Sequence, residues 1–246
     1  MSRRPGRWRA GLCVAVLAGL QAAFGASIPR GQARVVSPGE PPSAAAARLA
    51  TLGEAIGTGY GLALYTQAFD AQAGASLRIA DLDGDAIGRW LDRAIDLDPH
   101  AGYPLLLAAR VYGEVLPRPQ AARMIDLIHR RFLEDPQARW RWLAHAVYIA
   151  RHVLEDRPLA LALARSLRVH ATGPGIPGWV RQAEPLLLAD MGRVESARVL
   201  LGAMVTSGTI TDPAELSFLT GRLRELEHQP AVADTMAQEP RESRRR

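Results

Sequence analysis

The residues of this chain that could hold an ion or move a proton are few. There are six histidines, one cysteine and several acidic clusters. The most suggestive cluster lies in RIADLDGDAIGRWLDRAIDLDPH, residues 78–100, where Asp81, Asp83 and Asp85 alternate. A calcium loop wants oxygens at alternate positions, a glycine just after the third, and a bidentate acid at the twelfth. Here Gly84 comes early, Ala86 holds the turn position, and Asp92 stands twelfth. A helix start needs less. Asp83 or Asp85 would cap a helix beginning near Ala86, with the other carboxylates near its positive end. Two of the loop's demands fail, so the cap is favoured over calcium.

His145 and His152 are seven residues apart. On one helix they share a face but stand about two turns apart, too far to chelate one ion directly. No HExxH and no cysteine partner accompanies them, so neither a metal site nor a cofactor is expected. The glycine-rich GEAIGTGYG at 53–61 follows a helical pattern rather than a strand and lacks a GK[ST] ending. It reads as a helix–helix turn. Ser207 lies in a loop segment with no strand before it, which is not a nucleophile elbow. Glu134-Asp135 and Glu155-Asp156 precede helix starts, where capping accounts for them. No constellation points to catalysis, and the chain is read as not an enzyme.

The elements that would position such residues are helices. Apolar residues recur at three and four in LATLGEAI, GLALYTQAF, AIGRWLDRAI and SARVLLGAM, which is the helical period. Stops and starts stand at LDP 97–99, RP 118–119, EDP 134–136, DRP 156–158, TGPG 172–175 and TDP 211–213. Helices of about 12–18 residues joined by short loops give antiparallel pairs. The chain also repeats. LAARVY at 107–112 and LAHAVY at 143–148 lie 36 residues apart, and RPQAARM at 118 and RPLALAL at 157 lie 39 apart. A period of 36–39 with two helices per unit marks an α-solenoid.

In these segments the chain resembles the tetratricopeptide-repeat family. WLDRAIDLDP is similar to the end of such a repeat's second helix, with Leu91, Ala94 and Pro99 at the usual spacing. WRWLAHAVY is similar to a first helix, with Trp140, Leu143, Ala144 and Val147 as its packing residues. MGRVESARVLLGAM carries the family's second-helix pattern in Gly192, Ala197 and Leu201. The resemblance covers roughly residues 57–228. It implies an all-α fold, a right-handed superhelix of antiparallel helix pairs following an N-terminal apolar helix. It implies no particular ligand. Laying the 36-residue match out pairs Tyr112 with Tyr148, Ala109 with His145 and Leu105 with Arg141. In arrays of this family such first-helix positions line a concave groove. Arg110, Tyr112, Arg141, His145 and Tyr148 are therefore the expected partner-binding residues, suited to an extended peptide or a partner helix. The competing reading packs Tyr112 and Tyr148 between repeats.

The pI of about 10.1 suggests nucleic acid at first sight. Eight of the 30 basic residues and one of the 25 acidic ones lie in the first ten and last six positions. That leaves 22 basic against 24 acidic residues in the body, and a body with no basic excess is not expected to bind nucleic acid. Arg3, Arg4, Arg7 and Arg9 precede an uncharged apolar run at 10–28. This reads as a signal peptide or a single membrane anchor at 1–26, with small Ala23 and Gly25 at a candidate cleavage site. Residues 27–43 are Pro-, Gly- and Ser-rich and read as a linker, 44–228 as the repeat domain, and 229–246 as a disordered basic tail. Cys13 lies inside the apolar run, so the body carries no thiol, which suits a bacterial periplasm. The expectation is a non-enzymatic scaffold on the periplasmic side of the bacterial inner membrane, binding a protein or peptide partner. A helical subunit of a membrane complex is the alternative, and an envelope enzyme or ligand-binding domain a weaker one.

Overall fold

The structure, a computed structural model, describes residues 7–27, 36–72, 77–208 and 210–228; within 7–27 it describes the side chains of 14–24 only. The expected tail at 229–246, and parts of the expected signal and linker, lie outside the described residues.

All regular structure among the described residues is helical. The first helix, α1, runs Arg7–Ser27. Among the described residues no helix is long and apolar enough to cross a membrane. α2 is Ala44–Ala50 and α3 is Ala55–Gln67. A 3-10 turn at Ile79–Asp81 leads into α4, Gly84–Leu97. α5 starts as Tyr103–Leu106, continues as a π-helical stretch Leu107–Tyr112 and ends with Gly113–Val115. α6 is Arg118–Glu134. α7 is Pro136–Tyr148, continued by a π-helical stretch Ile149–Val153. α8 is Arg157–His170, α9 Trp179–Asp190, α10 Val194–Thr206 and α11 Pro213–His228.

Local chemistry sets these boundaries. Asp83 accepts from the backbone N–H groups of Asp85 and Ala86, so it caps α4. Its neighbours in the alternating trio turn elsewhere. Asp81 pairs with Arg78 at 2.7 Å and Asp85 with Arg123 at 2.5 Å. Asp135 caps α7 through Ala138 N at 3.0 Å, and Asp156 caps α8 through Leu159 N at 2.8 Å. Proline stands in the first turn of α6, α7 and α8, where its missing N–H costs nothing.

One expectation needs correction. The glycines at 57, 59 and 61 are not a turn; they lie inside α3. The turn is confined to 51–53 and closes on Gly53 at φ +87°. Gly59 is needed for packing. A Cβ there would stand 2.9 Å from the Ala94 carbonyl oxygen and 3.2 Å from Asp98 Cβ, so its absence lets α3 and α4 approach backbone to backbone. Residues 36–43, within the expected linker, have no regular structure but are anchored on neighbouring helices. Trp90 Nε1 donates to Gly39 O at 2.6 Å, Arg89 pairs with Glu40 at 2.9 Å, and Pro38 is buried. Proline and glycine forbid a helix there without forbidding contact.

From α3 onward each helix packs against the next, and α3 also touches α5, α4 touches α6, and α5 touches α7. Burial repeats along the chain. Gly84, Ala121, Ala160 and Ala197 are buried at the starts of α4, α6, α8 and α10, at intervals of 37, 39 and 37 residues. Leu91, Ile128 and Leu167 follow at the same intervals, all fully buried. In the alternate helices Leu105, Ala108, Tyr112 and Leu116 correspond to Leu143, Ala146, Ala150 and Leu154, and every member is buried. That interval is 38 residues. The 36-residue match of LAARVY to LAHAVY is therefore two residues out of register. Two residues turn a helix through about 200°, which moves a side chain to the opposite face.

Candidate binding groove

A cavity of about 530 Å³ opens across three helices. α5 brings Arg110 and Glu114, one turn apart. α7 brings Trp140, Arg141, Ala144, His145 and Tyr148, and α9 brings its first residue, Trp179. The α7 residues are spaced by three and four, so one helical face supplies them. A second cavity of about 290 Å³ shares Ala144, Tyr148 and Trp179 and continues over Val147, His152 and Leu187. Together they form a groove along α7.

Its polar end is tightly ordered. His145 Nε2 lies 2.7 Å from Glu114 Oε1, and His145 Nδ1 lies 3.4 Å from Arg110 Nη1. An ionised carboxylate only accepts and a guanidinium only donates. The proton therefore sits on Nε2, and Nδ1 accepts from Arg110. Arg110 Nε also lies 3.8 Å from Glu114. The ring of His145 stacks on Tyr148 with centroids 5.5 Å apart, and the rings of Tyr148 and His152 lie 4.9 Å apart, tilted. The aromatic end is built by Trp140 and Trp179, edge to face at 5.8 Å. The Arg141 guanidinium carbon stands 5.4 Å from the Trp140 ring centroid. Arg141 has no ion pair among the described residues.

Four of the five residues expected at a groove, Arg110, Arg141, His145 and Tyr148, line this one cavity. The fifth does not. Tyr112 is fully buried, and its hydroxyl donates to Asp70 at 3.0 and 3.2 Å. Burial raises the Asp70 carboxyl, against the lowering effect of that hydrogen bond, and burial likewise raises the Tyr112 hydroxyl well above its usual value. Tyr112 is a core residue because its repeat equivalent is Ala150 rather than Tyr148. The expected equivalents Leu105 and Ala109 are buried for the same reason.

Glu114 and Trp179 were not legible as groove residues, because other helices bring them to α7. One signal points to Trp179. It follows Trp140 by 39 residues, an interval the burial pattern also uses. Both nitrogens of His145 are engaged, and no serine, threonine or cysteine lines either part of it, so no nucleophile meets a free base. Among the described residues no group of three histidine, cysteine or carboxylate side chains is placed to hold a metal ion.

No protein-family model, no curated protein and no solved structure matches the chain.

Proposed function

We propose that this chain is a tetratricopeptide-like scaffold, a right-handed superhelix of antiparallel helix pairs that binds a partner protein or peptide and catalyses nothing. The groove along α7 carries the reading. It combines half-exposed Tyr148 and Trp179 with Arg141, whose guanidinium lies against Trp140 and has no ion pair among the described residues; these are the residue types that anchor protein interfaces. The stacking contacts of α3, α5 and α7, with the 37–39-residue burial period, support the repeat architecture. The basic, then apolar N-terminal segment supports delivery to the periplasmic side of a bacterial inner membrane, and the cysteine-free body is compatible with it.

The test places a photo-crosslinking amino acid at Ala144 in the groove or at Asp126 on α6 in the native host. A defined adduct formed from position 144, absent from 126 and lost in Arg141→Ala, supports the reading. Equal adducts from both positions, or none from 144, overturn the groove as the interface. Exposed apolar side chains on α2, α3 and their turn, Leu49, Leu52, Ile56 and Tyr60, favour a second reading, a subunit seated in a larger complex. Adducts from position 56 in place of 144 would select it.

A further inference from the structure

A further cavity, of about 370 Å³, lies away from the groove between α8, α9 and α10. At its base is a buried carboxylate. The Glu184 side chain is 1% exposed. Arg165 Nε donates to its Oε1 at 2.9 Å, and Arg168 Nε donates to its Oε2 at 2.5 Å. A buried carboxylate demands a cation. One arginine would neutralise it, and here there are two.

The way the two arginines are held matters more than their number. Each spends only its Nε on Glu184. The Nη groups of both make no other hydrogen bond among the described residues. Glu184 thus fixes two planar donor forks, and a pre-oriented fork is the group that recognises oxyanions bidentately. Arg193 adds a third guanidinium to the cavity wall, with no ion pair among the described residues. It stands at the start of α10, which has no side-chain cap. Glu195 and Ser196, in the uncapped first turn, also line the cavity, which puts the positive end of α10 beside it. Glu195 pairs with Arg198 at 3.1 Å, and Arg198 is not part of the lining. Arg165, Arg168 and Arg193 against Glu184 and Glu195 leave the cavity lining one positive charge in excess. An adjoining cavity of about 230 Å³ shares Arg168 and adds Arg181, likewise without an ion pair among the described residues.

We propose that the cavity between α8, α9 and α10 binds a phosphate-class oxyanion, held by the Nη groups of Arg165 and Arg168 together with Arg193. The net positive lining and the two forks held by Glu184 suit an oxyanion with several acceptor oxygens better than a single carboxylate. The adjoining cavity leaves room for the rest of a phosphate ester. This site is independent of the groove on α7.

Titration of the purified full chain with inorganic phosphate at low salt, followed by calorimetry, tests the site. Saturable binding is expected, with acetate at the same ionic strength giving none. Arg168→Gln and Arg193→Gln should each weaken it by about tenfold or more. Two variants separate a built site from diffuse positive charge. Arg165→Lys, at an exposed position, keeps the charge and loses the fork, and about a tenfold loss is expected. Glu184→Gln removes a negative charge yet frees the forks, so binding should weaken; diffuse charge would make it tighten. Circular dichroism checks that each variant is folded. Unchanged affinity in Arg165→Lys, tighter binding in a folded Glu184→Gln, or no saturable response to phosphate overturns the proposal. Sedimentation with phosphatidylglycerol vesicles, competed by inorganic phosphate, distinguishes the source. Competed sedimentation places the phosphate on a lipid headgroup, and phosphate binding without sedimentation places it on a soluble ligand.

Discussion

Nε2 of His145 stands 2.7 Å from Oε1 of Glu114, and the contact joins α7 to the end of α5. With Arg110 on the other ring nitrogen, it fixes which face of the imidazole stacks on Tyr148. The polar end of the groove is therefore fixed by its own contacts, which would lower the ordering cost of the binding proposed for it.

The pair fixes a tautomer that can be measured. In the neutral imidazole of the intact chain the proton belongs on Nε2. Long-range 1H–15N correlation spectra should show that tautomer for His145. In Glu114→Ala only the 3.4 Å contact of Arg110 with Nδ1 still favours that tautomer, so the Nε2–H form should lose part of its population. An Nδ1–H tautomer in the intact chain would contradict the assignment.

Two glycines in α3 should respond in opposite directions. Gly59→Ala puts a Cβ 2.9 Å from the Ala94 carbonyl, and backbone cannot move aside as a side chain can. The cost should be about 1–3 kcal/mol of unfolding free energy. Gly61 is exposed, with nothing within 4 Å of a Cβ. Gly61→Ala should stabilise by up to about 1 kcal/mol, through helix propensity and the unfolded chain. Urea denaturation of the two variants beside the parent checks both signs.

The same glycines show where sequence stops being legible. Helix ends at 97–99, 134–136, 156–158 and 211–213 could be read because proline and side-chain caps act within a few residues. Asp83 was readable as a cap for that reason. Gly59 was not, because what requires it is Ala94 on another helix. Tyr112 was misplaced because residue names were matched at 36 positions while burial repeats at 38. Arg110, Arg141, His145 and Tyr148 were reached through the repeat resemblance, as first-helix positions, rather than from any local chemical signal. Glu114 and Trp179 reach the cavity only through packing.

Half-buried His129 makes stability depend on pH. Its Nε2 lies 2.9 Å from Ser166 Oγ. Burial lowers its affinity for protons, Asp126 raises it and His170 lowers it, and the net shift is downward. The unfolded chain therefore takes up this proton first. The stabilising contribution is fully present above the ordinary histidine value of about 6.5 and is lost as pH falls through the lower folded value. The parent should lose more melting temperature between pH 7.5 and pH 5 than His129→Asn does. Equal losses would remove His129 from the balance.

Trp179 separates packing from recognition. It is 53% exposed, and its closest ring partner is Trp140 at 5.8 Å, edge to face. Truncation removes that pair and little buried area, so Trp179→Ala should cost about 1 kcal/mol of stability or less. As an exposed aromatic anchor beside Arg141 it should matter far more to a partner. Loss of an interface tryptophan typically costs about 2 kcal/mol or more, roughly a thirtyfold change in affinity. Melting curves and the yield of adduct from position 144 give the two readouts on the same variant. A small shift in melting with a large loss of adduct assigns Trp179 to the partner. A large melting shift with adduct retained among folded molecules would make it a core residue at the mouth of a groove that binds elsewhere. The Trp140–Trp179 pair would then serve to hold α9 against α7.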